Sequence, residues 1–431
     1  MFKAYDIRGI YRKEITAQFA FELGSAFACW SKSKTIIVGR DCRIGSSELA
    51  KSLISGIISS GCNVVDIGLC TTPMLYFASK KGVAVMVTAS HSPKEYVGFK
   101  LCLQNAVPVG NDSGLKEVQA LIGKTVAVKT KGKITEKDIS SAYVAHVKTF
   151  ATNLSKLKVV IDAGNGMEGV IAEKLFKGVT VIPVNFSPDG KFPKRNPNPM
   201  ADKAMDELIK KVISEKADLG VSYDADCDRI FFVDENGNKV ISDYIGILVA
   251  KQILSTKPRS VIVGTVNISK MFDELLTKIG ATVKRVKVGH SFIKENMKKY
   301  NAVFGAEVSG HFYYGDNDNA DSGDITLMHI LSLMSESGRK LSELAKPLMK
   351  YFKSSEINIS YANPKQGLEL VKKHFKDALE VNSIDGLTMK FKEWWFNLRA
   401  SNTEPLMRLN AEADNQKLLD AKVSEIKRLF R

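Results

Sequence analysis

The 431-residue chain has no apolar run approaching the roughly twenty residues that cross a bilayer. A charged start, "MFKAYDIRG", lacks the apolar core of an export signal. Its six cysteines, Cys29, Cys42, Cys62, Cys70, Cys102 and Cys227, form neither a CxxC pair nor a metal-ligand spacing. That usage suits reduced, mostly buried thiols, and the expected compartment is cytoplasmic. No low-complexity segment occurs, and "GxSxG" is missing, so a hydrolase elbow has no support. The chain carries 62 basic against 47 acidic residues, a net +15, yet the lysines are spread over helix-like segments such as "DELIKKVISEK". No basic face interleaved with aromatics stands out, which argues against nucleic acid and toward small anions as partners.

What is present is repetition. "KTIIVGRDCRIGSSELAKSLISGIISSGCNVVDIG" reads as strand, loop, amphipathic helix, strand. "LKVVIDAGNGMEGVIAEKLFKGVTVIPV" and "RSVIVGTVNISKMFDELLTKIGATVKRVKV" read the same way. Alternating strands and helices give parallel α/β sheets, and three such units in separate thirds of the chain imply three related domains. The texture then changes: "LTMKFKEWWFNLRAS" alternates like strands and "NQKLLDAKVSEIKRLF" like a terminal helix. The expected division is 1–150, 151–252 and 253–352 for three mixed α/β sheet domains, and 353–431 for a smaller α+β C-terminal domain.

Four loops carry reactive groups. "TASHSP" places Ser90 and His91 after the run "VAVMV", with Lys100 ten residues on; Ser90 reads equally as a nucleophile or a helix cap. "DADCDR" sets Asp224, Asp226 and Asp228 at alternate positions before Arg229. Three carboxylates so close repel unless a hard cation neutralises them, which points to Mg²⁺. An EF-hand reading fails because Arg229 stands where glycine is needed. "GAEVSGH" puts Glu307, Ser309 and His311 on one side of an extended segment, suited to sugar hydroxyls or simply the polar side of an edge strand. "RASNTEP" combines Arg399, Ser401, Asn402 and Thr403, a phosphate cradle by composition, with a plain polar turn as the weaker reading.

In order along the chain, "AYDIRG", "VGRDCR", "TASHSPKEYVGFK", "PDGKFPKRNPNP", "DADCDR", "GAEVSGH" and "RASNTEP" resemble the α-D-phosphohexomutase superfamily, and within it the phosphomannomutase/phosphoglucomutase group. The resemblance implies a heart-shaped molecule with a central active-site cleft. It implies phosphoryl transfer between the 1- and 6-positions of mannose or glucose phosphates, through a phosphoserine enzyme and a hexose 1,6-bisphosphate that is both intermediate and activator. Ser90 would carry the phosphoryl group and share Mg²⁺ with Asp224, Asp226 and Asp228. His91 and Lys100 would move protons beside Arg229, Lys100 with a pKa lowered by its cationic neighbours. Glu307, Ser309 and His311 would bind sugar hydroxyls; Arg399, Ser401, Asn402 and Thr403 the non-reacting phosphate; Tyr5, Arg8 and His290 further parts of the substrate. The family offers monomers and homodimers, and phosphoglucosamine mutase is the alternative activity. The chain departs from the family pattern at Ser92 and Val97, at Ala225, and at Asn267, where a lysine is common.

Overall fold

The computed structural model describes residues 1–3, 5–125, 128–152, 154–361, 363–400 and 406–430. These fall into two compact units, one of residues 1–241 with 309–342 and one of residues 242–308 with 343–431.

The first unit begins with β1 (Ile7–Ile10), α1 (Ala17–Ser31), β2 (Thr35–Arg40), α2 (Ser46–Ser59), β3 (Asn63–Leu69), α3 (Thr72–Ala78), β4 (Val83–Val87) and β5 (Tyr96–Leu103). A strand β6 (Ile134–Glu136) and a helix α4 (Ser140–Lys148) follow. The sheet order is β1-β5-β4-β2-β3-β6. β2 lies parallel to β3 and β4, whereas β5 runs antiparallel to both β4 and β1. The sheet is therefore mixed, and the β4–β5 turn carries the serine loop.

Local signals explain where these elements start. Thr16 caps α1, its hydroxyl accepting from Phe19 N at 3.1 Å, and Thr71 caps α3 by accepting from Met74 N at 3.1 Å, with Pro73 in the first turn. α1 and α2 cross at two glycines. A β-carbon on Gly56 would lie 1.9 Å from Phe21 O, and one on Gly24 would lie 2.2 Å from Leu53 O. Close backbone approach, rather than turn geometry, is why glycine stands at both positions.

The second sheet of this unit contains β7 (Lys158–Asp162), β8 (Thr180–Val184), β9 (Leu219–Tyr223) and β10 (Ile230–Asp234), with α5 (Asp206–Glu215) packed on it. β8, β7 and β9 are parallel neighbours, and β10 returns antiparallel to β9. The six residues from Asp224 to Arg229 form the turn of that hairpin.

In the second unit, α6 (Ser242–Thr256) precedes β11 (Val261–Thr265), α7 (Lys270–Lys278), β12 (Thr282–Val286), α8 (His290–Tyr300) and β13 (Phe304–Ala306). β11 is flanked by β12 and β13, both parallel to it. The tail is an antiparallel sheet in which Met407–Ala413 pairs with Trp394–Ala400, covered by the helices Pro364–His374 and Gln416–Arg428 over a core of Val371, Phe396, Leu398, Leu419 and Ile426. The architecture is thus three mixed α/β sheet regions and a smaller α+β end. One expected boundary needs correction: a cut at 252/253 divides α6, a single continuous helix whose apolar residues are buried together.

If the glycine contact sets the α1–α2 distance, Gly56→Ala must push two backbones apart and should lower unfolding free energy by about 2–3 kcal/mol. Urea denaturation checks this, and a loss under about 0.5 kcal/mol would contradict it.

Candidate active site

The serine loop leaves β4 at Thr88, whose hydroxyl accepts from Ser90 N at 2.9 Å. Ser90 then adopts φ 49°, a left-handed conformation that a non-glycine residue holds only when its surroundings enforce it. The enforcing group is Arg43. Its guanidinium donates to Ser90 O at 2.5 Å, Ser92 O at 2.6 Å, Pro93 O at 2.9 Å and Tyr96 O at 3.1 Å, gathering the loop around one fork of donors. Asp41 lies 3.5 Å from Arg43 Nε with both side chains fully buried, and Phe192 stacks on the guanidinium at 4.9 Å. Arg43 is not among the site residues expected from the sequence, although "VGRDCR" contains it; an arginine just past a strand has no distinguishing signal in the sequence.

Ser90 is 2% exposed, and its Oγ donates to Asp224 Oδ2 at 2.9 Å and lies 3.1 Å from His91 Nδ1. A neutral His91 with its proton on Nδ1 donates to Oγ while Oγ donates to Asp224; with the proton on Nε2, Nδ1 and Asp224 compete for the single hydroxyl proton. His91 is held well below the usual imidazole range, because burial and the nearby guanidinium groups of Arg229 and Arg8 disfavour its cation. It is a neutral ring beside the serine. Arg8 donates to Ser92 Oγ at 2.9 Å and pairs with Asp6, so the departure at Ser92 keeps a polar contact. Val97 is fully buried opposite Gly9 and belongs to the apolar core. Tyr5 is half-buried just before β1.

The acidic triplet is buried: Asp224 and Asp226 are 0% exposed and Asp228 is 3%. One carboxylate oxygen from each lies within 4.8 Å of the others. Three carbonyls of this turn are held from different parts of the unit. Met167 N donates to Ala225 O at 2.9 Å, Thr72 N to Asp226 O at 2.8 Å and Gly323 N to Cys227 O at 3.3 Å. The Thr72 hydroxyl also donates to Asp226 Oδ2 at 2.6 Å. Ala225 needs no positive φ, because the turn places that conformation on Cys227, φ 68°. Thr72 was not foreseen; its only trace is the "TTP" start of α3.

Lys100 Nζ lies 2.7 Å from Asp226 Oδ2 and 2.5 Å from Asp228 Oδ2, while Arg229 Nε donates to Asp224 Oδ2 at 2.9 Å. Burial alone would lower the lysine pKa, but the two carboxylates outweigh it and the pKa is raised. The expected lowering is therefore reversed, because Lys100 itself serves as counter-charge to the acids. Asp224 is pushed up to about 6 by burial, with Asp228 adding to it and Arg229 opposing. Burial works the same way on Asp228, yet Lys100 and His311 hold it well below the usual carboxylate range. Asp226 Oδ1 and Asp228 Oδ1 are buried without a hydrogen-bond partner. Oxygen atoms so disposed fit a hard divalent cation.

Ser309 and His311 reach this cluster: Ser309 Oγ is 2.9 Å from His311 Nδ1, and His311 Nε2 is 3.5 Å from Asp228 Oδ1. Other expected residues lie in the second unit. Glu307 accepts from Gly289 N at 2.9 Å, next to His290 at the start of α8. Arg399 lies in a strand rather than a loop, 4% exposed, donating to Glu356 at 3.0 Å. Asn267 is fully buried. Ser401, Asn402 and Thr403 lie outside the described residues.

Beneath the acidic turn sits a second, unforeseen pair. Glu168 and Asp324 are fully buried and act on one another, and Tyr143 donates to Asp324. Burial, then Asp324, pushes Glu168 well above its usual value, and burial brings Asp324 to about 6. Both Glu168 carboxyl oxygens and Asp324 Oδ1 are buried without a hydrogen-bond partner, a placement that favours the neutral acid.

Profiles of phosphoglucomutase/phosphomannomutase match in series: α/β/α domain I over residues 1–128, domain II over 141–237, domain III over 241–352 and the C-terminal domain over 356–429. A phosphomannomutase of Methanocaldococcus jannaschii is 38% identical, across 100% of this chain and 97% of its own length. One from Escherichia coli K12 is 38% identical, across 96% and 94%. The crystal structure of a phosphoglucomutase/phosphomannomutase family protein from Burkholderia thailandensis superposes with TM-score 0.93 at 27% identity, covering 99% of this chain and 96% of that one.

The raised values of Glu168 and Asp324 have a signed consequence. Their contribution to stability is complete below the unfolded carboxyl values near ~4 and is lost as pH rises through the folded ones. Glu168→Gln keeps the shape without the charge, so it should flatten the stability decline between about pH 5 and pH 8 by on the order of 2 kcal/mol. Urea denaturation at both pH values in the presence of chelator tests this; an unchanged decline would refute the raised value of Glu168.

Proposed function

The chain belongs to the phosphoglucomutase/phosphomannomutase family, and from that premise we propose that Ser90 is its phosphoryl carrier and that Asp224, Asp226 and Asp228 form its metal site. The enzyme is a phosphohexomutase, an isomerase that moves a phosphoryl group between the 1- and 6-positions of hexose phosphates through a 1,6-bisphosphate. The relatives compared bear the phosphomannomutase name, and nothing in the chain favours the glucosamine alternative. The observation that carries the assignment of Ser90 is its Oγ, 2.9 Å from Asp224 at the edge of a buried acidic triplet.

The atoms balance as follows. In the first transfer the Ser90 Oγ–P bond breaks and a bond forms from phosphorus to a hexose hydroxyl oxygen, whose proton passes by way of a neighbouring base to the departing Oγ; in the return half the proton moves the other way, from Oγ to the sugar oxygen released from phosphorus. The bisphosphate turns over, and the other phosphate returns to Ser90. In that half the Oγ–H proton must leave as the new Oγ–P bond forms. His91, neutral and 3.1 Å from Oγ, is the acceptor within reach. Lys100 and Arg229 lie on the carboxylates that face the transferring group, so their charge balances it. Mg²⁺, when bound by the three aspartates with Ser90 as a further ligand, neutralises phosphoryl charge. With those carboxylates engaged by such an ion, Lys100 would be the group placed to exchange protons.

Ser309 and His311 are proposed to hold the sugar hydroxyls, and the resemblance to the family assigns Glu307 the same role. Arg399 with Ser401, Asn402 and Thr403 is proposed to bind the distal phosphate, and Tyr5, Arg8 and His290 further substrate atoms. Two orientations of the bisphosphate must be accepted, which favours a few polar contacts over a tight shape match.

Ser90→Ala removes the only carrier in this scheme. Turnover of mannose 1-phosphate or glucose 1-phosphate, primed with a trace of 1,6-bisphosphate, should fall at least ~10³-fold. Intact-mass measurement should show one phosphate on the parent and none on the variant; residual mutase activity above a few per cent would sink the assignment. His311→Ala should cut hexose-phosphate turnover while leaving Mg²⁺ affinity within about threefold, since it touches Asp228 only at 3.5 Å. A large loss of metal binding would contradict that division of labour.

A further inference from the structure

Parallel strands buried within an α/β layer are apolar on both faces, and β2 and β3 follow the rule. Ile36, Val38 and Val64 turn toward the core that α1 and α2 cover, and are at most 1% exposed. Ile37, Val65 and Ile67 turn the other way, where the cover is incomplete. A cavity of about 280 Å³ lies between them and the helices α3 and α4. Phe77 from the last turn of α3, and Ile139 and Ala142 from the start of α4, complete its apolar walls. At ~30 Å³ per water this space would take on the order of nine waters, which aliphatic walls leave without partners.

The mouth has a different character. Lys80, Lys81 and Lys137 stand around it. The carboxylate among them, Asp138, turns back on its own chain and accepts from Ser140 N at 2.8 Å. Lys80 lies 3.6 Å from Asp318, and Lys81 and Lys137 are exposed. A hydrocarbon floor beneath a cationic rim selects an amphipathic anion. A hexose phosphate does not suit it, because among the lining residues only Thr35 offers a hydroxyl toward the sugar.

We propose that this cavity is a binding site for a medium-chain aliphatic carboxylate, its tail against Ile37, Val65, Ile67 and Phe77 and its head between Lys81 and Lys137. The volume sets the length at about eight carbons, each heavy atom taking roughly the space of a water. Binding is coupled to catalysis through α3. That helix has its last turn in the cavity wall, and ~10 Å away its first residue, Thr72, holds Asp226 by both N–H and hydroxyl. A ligand that repositions Phe77 therefore acts on the acidic turn. The coupling rests on the metal reading of that turn, whereas the binding does not.

Octanoate is the probe. Calorimetric titration into the full chain at low ionic strength should show saturable one-to-one binding, with octyl glucoside and acetate each at least tenfold weaker. Ala142→Trp, which fills the cavity from the exposed side of α4, should abolish it. Lys81→Glu combined with Lys137→Glu should weaken it roughly tenfold. Both variants should keep the mutase activity measured without octanoate. Saturating octanoate should also shift the Mg²⁺ concentration for half-maximal turnover at least twofold in the parent and not in Ala142→Trp. Absence of saturable binding at millimolar octanoate, equal binding of the neutral detergent, or full binding by both variants would overturn the site. Normal binding with an unmoved Mg²⁺ dependence would overturn the coupling alone.

Discussion

Three buried carboxylates on one six-residue turn are the constraint on which the rest of this molecule depends. Like charges about 5 Å apart repel by roughly 3 kcal/mol per pair even at an effective dielectric constant near 20. Such a turn folds only if cations are supplied and its backbone is restrained. The chain does both. Lys100 and Arg229 supply the charge, and the carbonyls of Ala225, Asp226 and Cys227 are tied to Met167, Thr72 and Gly323, which come from three separate stretches of sequence. The acidic site is thus a place where distant segments are held together as well as a place for chemistry.

The same arrangement explains how one lysine can serve at two stages. As counter-charge to Asp226 and Asp228, Lys100 is firmly protonated and useless as a base. Its environment, however, already contains what lowers a lysine: burial and the Arg8 guanidinium. Only the carboxylates hold it up. Whatever cation takes them over changes the proton affinity of Lys100 without moving it. His91 differs, because its low proton affinity comes from burial and from Arg229 and Arg8, not from an acid that can change partners. Asp228 opposes those effects on His91, so Lys100, held up by two carboxylates, depends more on the state of the acidic cluster than His91 does.

The fold class and the reactive loops were legible because they depend on local pattern. Strand–helix alternation marks parallel sheets, and alternate aspartates mark a charge problem in any fold. The remainder was not legible because it is made of tertiary contacts. Arg43 reads as one more charged residue after a strand, and only the folded loop shows four carbonyls converging on it. Glu168 and Asp324 stand 156 positions apart (324 − 168) and have no sequence pattern in common. The boundary placed at 252 failed for a related reason: a buried helix has no polar joint in its middle, and Pro258, which ends the segment, marks a stop rather than a domain edge. Ser92 and Val97 looked like equivalent departures, yet one retains a contact with Arg8 and the other is core.

The conformation of Ser90 follows from these restraints. A left-handed φ in a non-glycine residue costs on the order of 1–2 kcal/mol, and evolution could have avoided it with glycine only by losing the hydroxyl. The strain is balanced by Arg43 on one side and Thr88 on the other, both fixed before any substrate arrives. What is gained is direction: Oγ faces Asp224 and His91 instead of packing back on β4. A carrier of the kind proposed gives up one phosphoryl group and takes back another in each cycle, so it needs its oxygen at one fixed point that both half-reactions share while the sugar turns. Flexibility belongs to the bisphosphate, and rigidity to the loop that Arg43 holds.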